Sequence, residues 1–246
     1  MKKFGLIGFP LIHSFSKKYF TEKFENENID AQYDLYELDD ISKFGELITS
    51  VELSGLNVTI PYKEKVIPFL DELDETAARI GAVNVIQFRH VNGKSVLKGY
   101  NSDTIGFEAS IKPLLMNHHS KALILGTGGA SKAIVYALQK LGIETTFVSR
   151  SSRAGCFTYQ ELNKEIIEDY KVIINASPVG TFPHTVECPD IPYHFIGSEH
   201  LVFDVVYNPA ETLFLAKAKA QGATTINGEG MLTGQAVAAW RIWNEI

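Results

Sequence analysis

The sequence has few cysteines, no excess of positive charge and no long apolar run. Only two cysteines, Cys156 and Cys188, occur in 246 residues, too few for a disulfide scaffold or a structural zinc site. The net charge of −6 at pH 7 gives no attraction to phosphate backbones or anionic lipids. No run approaches the roughly 18 apolar residues that a spanning helix needs. These shortages predict a cytoplasmic protein without nucleic-acid or membrane partners.

The chain does contain a regular alternation of short β-rich runs and helical patterns. It starts at the N-terminus with KFGLIGF and SKKYFTEKFENEN, and it starts again with KALILG and ASKAIVYALQKLG. Such alternation predicts βαβ units around mostly parallel sheets. Between the two series, Asn92-Gly93 separates two β-rich runs and predicts a tight hairpin. The pattern therefore predicts two α/β domains, with the hairpin at the edge of the first.

A glycine-rich turn follows the first strand of the second series. In KALILGTGGASKAIVYALQKLG, the apolar strand is followed by Gly126, Gly128 and Gly129, and then by a helix. Glycines at a strand-to-helix turn let backbone N–H groups approach a pyrophosphate at the positive helix end. A tight turn without a ligand is the alternative. The order of strand, turn and helix favours dinucleotide binding, although Ser131 stands where the third fingerprint glycine would fall.

Two arginines follow the next strand, in TTFVSRSSR. An NAD site usually has an acidic residue here that accepts from the ribose hydroxyls. This chain instead has Arg150 and Arg153 among serines, and guanidinium groups suit the charge and geometry of a 2′-phosphate. An exposed basic loop is the alternative. The position directly after the second strand predicts NADP.

Polar side chains gather in four segments of the first half. Hydroxyls, amides and a lysine with an aspartate are the groups expected around a small polyhydroxylated anion. Each has a structural alternative, with Ser16 or Asp103 as a helix cap and Asn84 as a turn residue. The segments are HSFS with Ser14 and Ser16, NVTIPYK with Asn57, Thr59 and Lys63, GAVN with Asn84, and NSD with Asn101, Ser102 and Asp103.

Lys63 lies two residues after a proline in LNVTIPYKEKV. Because proline is preorganised for the first position of a helix, the sequence predicts that Lys63 projects from a first helical turn beginning at Pro61. A solvated lysine equivalent to Lys65 is the alternative.

Eight ordered motifs run through nearly the whole chain: GFPLIHSFS, LNVTIPYKEKV, GAVNVI, GYNSDTIGF, LGTGGASKA, INASPVG, DVVYNPAET and NGEGMLTGQAVAAW. In these motifs the chain resembles the shikimate dehydrogenase family. The resemblance implies an α/β fold with an N-terminal substrate domain, residues 1–102, and a C-terminal Rossmann dinucleotide-binding domain, residues 103–230. A final helix, residues 231–246, would pack back on the first domain. The implied enzyme is an oxidoreductase of aromatic amino acid biosynthesis, monomeric or homodimeric, that reversibly reduces 3-dehydroshikimate to shikimate with NADPH.

The resemblance also implies roles for individual residues. Lys63 and Asp103 would form the catalytic pair. Independently of the resemblance, the sequence has no His/Cys/Asp cluster with the spacing of metal ligands, so no metal ion is expected and His13 is predicted to be an orienting or structural histidine. Ser14 and Ser16 would bind the substrate carboxylate. The substrate's other oxygens would contact Thr59, Asn84, Asp103 and Gln235, with Tyr207 close to the nicotinamide and the substrate. The implied cofactor-binding residues are Gly126, Gly128, Gly129, Ala130, Arg150, Arg153, Gly230 and Met231.

Three positions depart from the family's usual pattern. Lys17 stands where a proline commonly follows the second serine, Ser149 where an asparagine often precedes the arginine, and Ser102 where a threonine is usual. None of these removes a catalytic group. A quinate/shikimate dehydrogenase with broader cofactor use and a non-catalytic nucleotide sensor of the same fold are the alternative functions. The presence of both Lys63 and Asp103 favours an enzyme over a sensor.

Overall fold

The computed structural model describes residues 1–11, 14–91 and 94–245 of the chain. Its backbone divides into two compact units, the first formed by 1–102 with 235–246 and the second by 103–234. The Asn92-Gly93 turn and His13 lie outside the described residues. Within the described part of the chain, no helix is long and apolar enough to cross a membrane.

The first unit is built on a six-stranded mixed sheet in the order β2-β1-β3-β5-β6-β4. β1 pairs in parallel with β2 and β3, whereas β5 pairs antiparallel with β3 and β6. The sequence predicted a mostly parallel sheet, but β5 and β6 follow each other too closely for a crossover and pair antiparallel, and β5 also runs antiparallel to β3. The elements are β1 (Lys2–Gly8), α1 (Phe15–Asn26), β2 (Ala31–Glu37), α2 (Phe44–Ser50), β3 (Gly55–Val58), β4 (Glu72–Leu73), α3 (Glu75–Ile80), β5 (Val85–Val91) and β6 (Lys94–Tyr100).

The second unit contains a six-stranded sheet in the order β12-β11-β10-β7-β8-β9, in which every pairing is parallel. Strand order reverses at β7, between β10 and β8, which is the point where such sheets bind ligands. The predicted Rossmann fold is confirmed. The elements are α4 (Asp103–Ile111), β7 (Lys121–Leu125), α5 (Gly129–Lys140), β8 (Glu144–Ser149), β9 (Cys156–Thr158), α6 (Lys164–Asp169), β10 (Val172–Asn175), β11 (Leu201–Asp204), α7 (Leu213–Ala220) and β12 (Thr224–Ile226), followed by α8 (Glu229–Asn244).

The final helix, α8, contributes to both units. In the second unit Met231 is buried in the apolar core, and a Cβ on Gly234 would come within 2.9 Å of Gly106 Cα. From Gln235 onward the helix belongs to the first unit, where Trp243 packs on Phe4 with ring centroids 4.8 Å apart. The C-terminal part of the helix packs on the first unit, as predicted, and its residues up to Gly234 belong to the second unit.

Candidate active site

The glycine turn connects β7 to α5 in the second unit. Gly126 has a φ of +104°, a backbone conformation that favours glycine over other residues. Its N–H donates to the Val148 carbonyl at 3.1 Å. Gly128 is the N-cap of α5, and a Cβ added to Gly128 or Gly129 would meet no atom within 4 Å. The space before the helix N-terminus is therefore open, and side chains there would fill a place that suits a phosphate group.

Ser131 occupies the third fingerprint position without disturbing this turn. The side chain is buried inside α5, and its hydroxyl donates to the Gly128 carbonyl at 2.5 Å. The serine thus ties the first turn of the helix to the glycine loop. Ala130 precedes it in the same turn and is half-buried.

The loop opens on a cavity of about 340 Å³. Its walls bring together the predicted residues Gly126, Gly128, Arg150 and Arg153, and both arginines are exposed. Gly129 and Ala130 belong to the adjoining helix and do not line it. The Ser149 hydroxyl, in the position where the family often has asparagine, accepts from the Ser151 N–H at 3.3 Å. The remaining lining residues are Thr127, Val148, Ser149, Ser151, Tyr159, Ala176, Ser177, Pro178 and Val179.

The part of the cavity wall that follows β10 is fixed by hydrogen bonds to a buried carboxylate, that of Asp204. Asn175 accepts from the N–H and hydroxyl of Ser177, at 3.1 and 2.6 Å, and donates to Asp204 at 2.9 Å. Asp204 also accepts from the Val206 N–H at 3.0 Å and the Thr212 hydroxyl at 2.6 Å. Burial raises the pKa of Asp204 to about 6, against the opposing effect of these hydrogen bonds. Sequence reasoning missed this network, although INAS and DVVYNPAET each place a polar residue at the end of an apolar strand.

In the first unit, Ser14 and Ser16 stand at the beginning of α1. Ser14 is the N-cap, since its hydroxyl accepts from the Lys17 N–H at 3.2 Å. The suggestion that Ser16 caps the helix is therefore wrong, because the helix begins one residue earlier, at Phe15. Lys17, the departure from the family's proline, donates to the Tyr33 carbonyl and to Asp34 Oδ1, the latter at 3.0 Å. The lysine thus links α1 to β2.

Tyr33 connects the serine segment to the other polar residues of the first unit. Its hydroxyl donates to Asn57 Oδ1 at 2.8 Å and hydrogen-bonds with Ser16, and burial raises the pKa of the phenol. Asn57 in turn donates to the Asn84 carbonyl at 3.3 Å. Sequence reasoning missed Tyr33, because nothing near it in the chain indicates which residues its hydroxyl meets.

Asn84 is more than a turn residue. Its side chain is buried, donating to the Ser102 hydroxyl at 3.0 Å and accepting from the Ser102 N–H at 2.7 Å. Serine in place of the family's threonine therefore keeps the hydroxyl that this contact uses. The pair fixes the backbone immediately before Asp103.

Lys63 does not project from the first turn of a helix that begins at Pro61. The peptide bond between Ile60 and Pro61 is cis, and the chain from Ile60 to Val66 forms turns. The Tyr62 N–H donates to the Thr59 carbonyl at 2.9 Å, and the Tyr62 side chain is buried in the core of the first unit. Lys63 itself is half-buried, and its carbonyl accepts from the Val83 N–H at 2.7 Å. The lysine backbone is thus fixed by a neighbouring segment, while Lys65 is exposed.

The remaining predicted residues are divided between the units. Asp103 is the first residue of α4, so it belongs to the helix rather than preceding it as a cap. It is buried, with 7% of its surface exposed. Tyr207 is 44% exposed in the segment after β11. In α8, Gly230 is exposed and Met231 is packed into the core of the second unit, whereas Gln235 is buried in the first unit.

The parallel sheet, the strand-order reversal and the glycine turn beside a cavity define a dinucleotide-binding α/β protein. The shikimate dehydrogenase (NADP(+)) of Methanosphaera stadtmanae is 37% identical over 259 residues, covering 97% of this chain and 90% of that protein. This chain belongs to the shikimate dehydrogenase family.

Further comparisons agree with this assignment. A sequence model of the shikimate dehydrogenase substrate binding domain matches residues 6–86. The shikimate dehydrogenase (NADP(+)) of Aquifex aeolicus is 37% identical over 251 residues, covering 98% of this chain and 90% of that protein. The solved structure of shikimate 5-dehydrogenase from Thermus thermophilus, in complex with NADP(H) and shikimate, superposes with a TM-score of 0.86 at 28% identity, covering 100% of this chain and 94% of that one.

Proposed function

We propose that the protein catalyses the NADP-dependent, reversible reduction of 3-dehydroshikimate to shikimate. The observation that carries this proposal is the cavity in which the glycine turn adjoins Arg150 and Arg153, in a chain of the shikimate dehydrogenase family. An open helix N-terminus suits the pyrophosphate, and the two guanidinium groups suit a 2′-phosphate. These residues fit NADP, whose reduced nicotinamide supplies a hydride when it is bound.

The proton for this reaction would come from Lys63. Adding a hydride to a ketone leaves negative charge on the carbonyl oxygen, which a positioned ammonium group stabilises and then neutralises. In the reverse direction the neutral amine accepts the proton of the hydroxyl. Asp103 would act with Lys63 as the second member of the pair, its carboxylate holding the ammonium group in place.

Substrate recognition would rest on the polar groups of the first unit. Ser14 and Ser16 lie at the N-terminus of the twelve-residue helix α1, where hydroxyls and the helix dipole favour a carboxylate. Thr59, Asn84 and Gln235 would contact the substrate's remaining oxygens. Tyr207 would contact the substrate, and Gly230 and Met231 would lie near both the nicotinamide and the substrate.

A spectrophotometric assay of NADPH formation tests the proposal most simply. Purified protein would be given shikimate or quinate with NADP or NAD, and the four values of kcat/KM compared. We expect shikimate with NADP to give the highest value. Comparable rates with quinate would instead indicate a quinate/shikimate dehydrogenase, and cofactor binding without turnover of either substrate would indicate a nucleotide sensor.

We also propose that the protein works in a reducing compartment, the cytoplasm. Both Cys156 and Cys188 are free thiols and half-buried. Fractionation of the source cells followed by immunodetection checks this directly.

A further inference from the structure

The connection between β8 and β9 is unusually short for two parallel neighbours. Parallel strands normally need a crossover of about a dozen residues or more, usually with a helix. Here only residues 150–155 join them, and they form bends and turns. This is possible because β9 pairs only with the last part of β8, with Cys156 opposite Phe147 and Thr158 opposite Ser149. The segment that follows β9 therefore comes directly to the arginine side of the cavity.

Tyr159 is the first residue of that segment, and its backbone is fixed. It begins a single 3-10 turn, Tyr159–Glu161, closed by a capping box. The N–H and hydroxyl of Thr158 donate to the Glu161 carboxylate at 2.6 and 2.8 Å, and these bonds lower the pKa of Glu161. A side chain held on such a capped turn has a defined position.

The side chain of Tyr159 is half-buried. It packs against a core cluster that includes Leu162 and Val148, and it lines the cavity together with Arg150 and Arg153. Burial raises the pKa of the phenol, while the positive charge of Arg150 acts in the opposite direction. The side chain thus presents a neutral aromatic surface beside the two guanidinium groups.

We propose that Tyr159 is the aromatic contact for the adenine base of the cofactor, placed next to the arginines that bind the 2′-phosphate. Adenine is attached to the same ribose that carries this phosphate, so its binding surface must adjoin Arg150 and Arg153. A flat apolar ring is the group that stacks favourably on a base. This inference rests on the proposed use of NADP.

The test is a set of calorimetric titrations with three probes on the full chain. Adenosine 2′,5′-bisphosphate carries both the base and the 2′-phosphate, 5′-AMP carries the base without the 2′-phosphate, and inorganic pyrophosphate carries neither. Tyr159→Leu retains an apolar side chain against the core but removes the aromatic ring, whereas Tyr159→Phe retains the ring. Arg150→Ala is the matched control for the phosphate contact.

We expect Tyr159→Leu to raise the dissociation constants of both adenosine probes by roughly tenfold, since stacking contributes about that much affinity per base. Tyr159→Phe should bind both adenosine probes within about twofold of the unmodified protein. The two Tyr159 variants and the unmodified protein should bind pyrophosphate alike. Arg150→Ala should weaken the bisphosphate far more than 5′-AMP. Thermal denaturation of each variant establishes that it is folded.

The inference is overturned if a folded Tyr159→Leu binds the adenosine probes as the unmodified protein does. Equal weakening by Phe and Leu would also overturn it, because the hydroxyl rather than the ring would then matter. Loss of pyrophosphate binding by Tyr159→Leu would also overturn the inference, because the substitution would then act by collapsing the cavity. None of these titrations depends on turnover, so failure to oxidise shikimate would contradict the proposed function alone.

Discussion

The hydroxyl of Tyr33 donates to Asn57 Oδ1 at 2.8 Å and also hydrogen-bonds with Ser16, at the start of α1. This single buried phenol, 1% exposed, therefore connects the serine segment to the segment that contains Thr59 and Lys63. Lys17 holds the backbone on the same strand through the Tyr33 carbonyl and Asp34. Tyr33 acts as a positioning residue for two parts of the proposed substrate site.

Replacing Tyr33 by phenylalanine should raise the KM for shikimate more than it lowers kcat. The Asn57 oxygen and the Ser16 hydroxyl would each lose a partner, at a cost of about 1–3 kcal/mol in the free energy of unfolding. Steady-state kinetics and urea denaturation measure the two effects. Tyr193→Phe is the control, because it removes a comparable 2.7 Å bond to the Pro189 carbonyl in the other unit. A shikimate KM raised equally in both variants would contradict a positioning role.

Arg150→Ala should weaken the binding of NADP while leaving the binding of NAD nearly unaffected. The lost partner is a charged group hydrogen-bonding to a phosphate, a contribution of roughly 1.5–3 kcal/mol, or about ten- to a hundredfold in the KM for NADP. Kinetics with both cofactors at fixed shikimate measure the change. Equal use of NADP and NAD by the unmodified enzyme would argue against the arginine contact.

Asp204 should make stability fall as the pH rises from about 4 to 6. Its pKa is raised in the folded protein from an ordinary 3.8 to about 6. Its contribution to stability is therefore fully present below the unfolded pKa and lost as the pH rises through the folded value. The change is on the order of 2–3 kcal/mol in the free energy of unfolding.

Asp204→Asn is the matched variant for this prediction. Asparagine can accept from Asn175 and Val206 and donate to the Thr212 oxygen, so it imitates the protonated acid. Urea denaturation at several pH values would give the difference in unfolding free energy between variant and unmodified protein. That difference should move in favour of the variant as the pH rises from about 4 to 6. A difference independent of pH would show that Asp204 does not titrate in this window.

The parts of the fold that depend on residues close together in the chain could be predicted from the sequence. The turn from β7 to α5 was predictable because strand, glycines and helix follow one another within one segment. The strands β9 and β12 were not predictable, since three residues each are too few to show a periodicity. The turn containing Lys63 was mispredicted because proline is common both in turns and at helix starts, and only the burial of Tyr62 decides between them.

The polar residues of the candidate site were predictable by type, but not their partners. Ser14, Asn84 and Asp103 stood out because hydroxyl, amide and carboxylate groups occurred beside apolar strands. Tyr33 lies 24 residues from Asn57 in the chain, and only the pairing of β1 with both β2 and β3 brings the two together. Contacts of this kind depend on strand order, which local patterns do not contain.

The most direct test of the proposed chemistry is the turnover number of Lys63→Ala compared with that of Lys65→Ala. Lys65 is the matched control, an exposed lysine two residues away in the same stretch. If Lys63 supplies the proton, its loss should lower kcat by about 10²–10⁴-fold, the usual contribution of a positioned proton-transfer group, with little change in cofactor affinity or Tm. Lys65→Ala should turn over shikimate like the unmodified enzyme. A Lys63→Ala enzyme that keeps most of its kcat would contradict the account, because the reaction would then have no proton donor at this position.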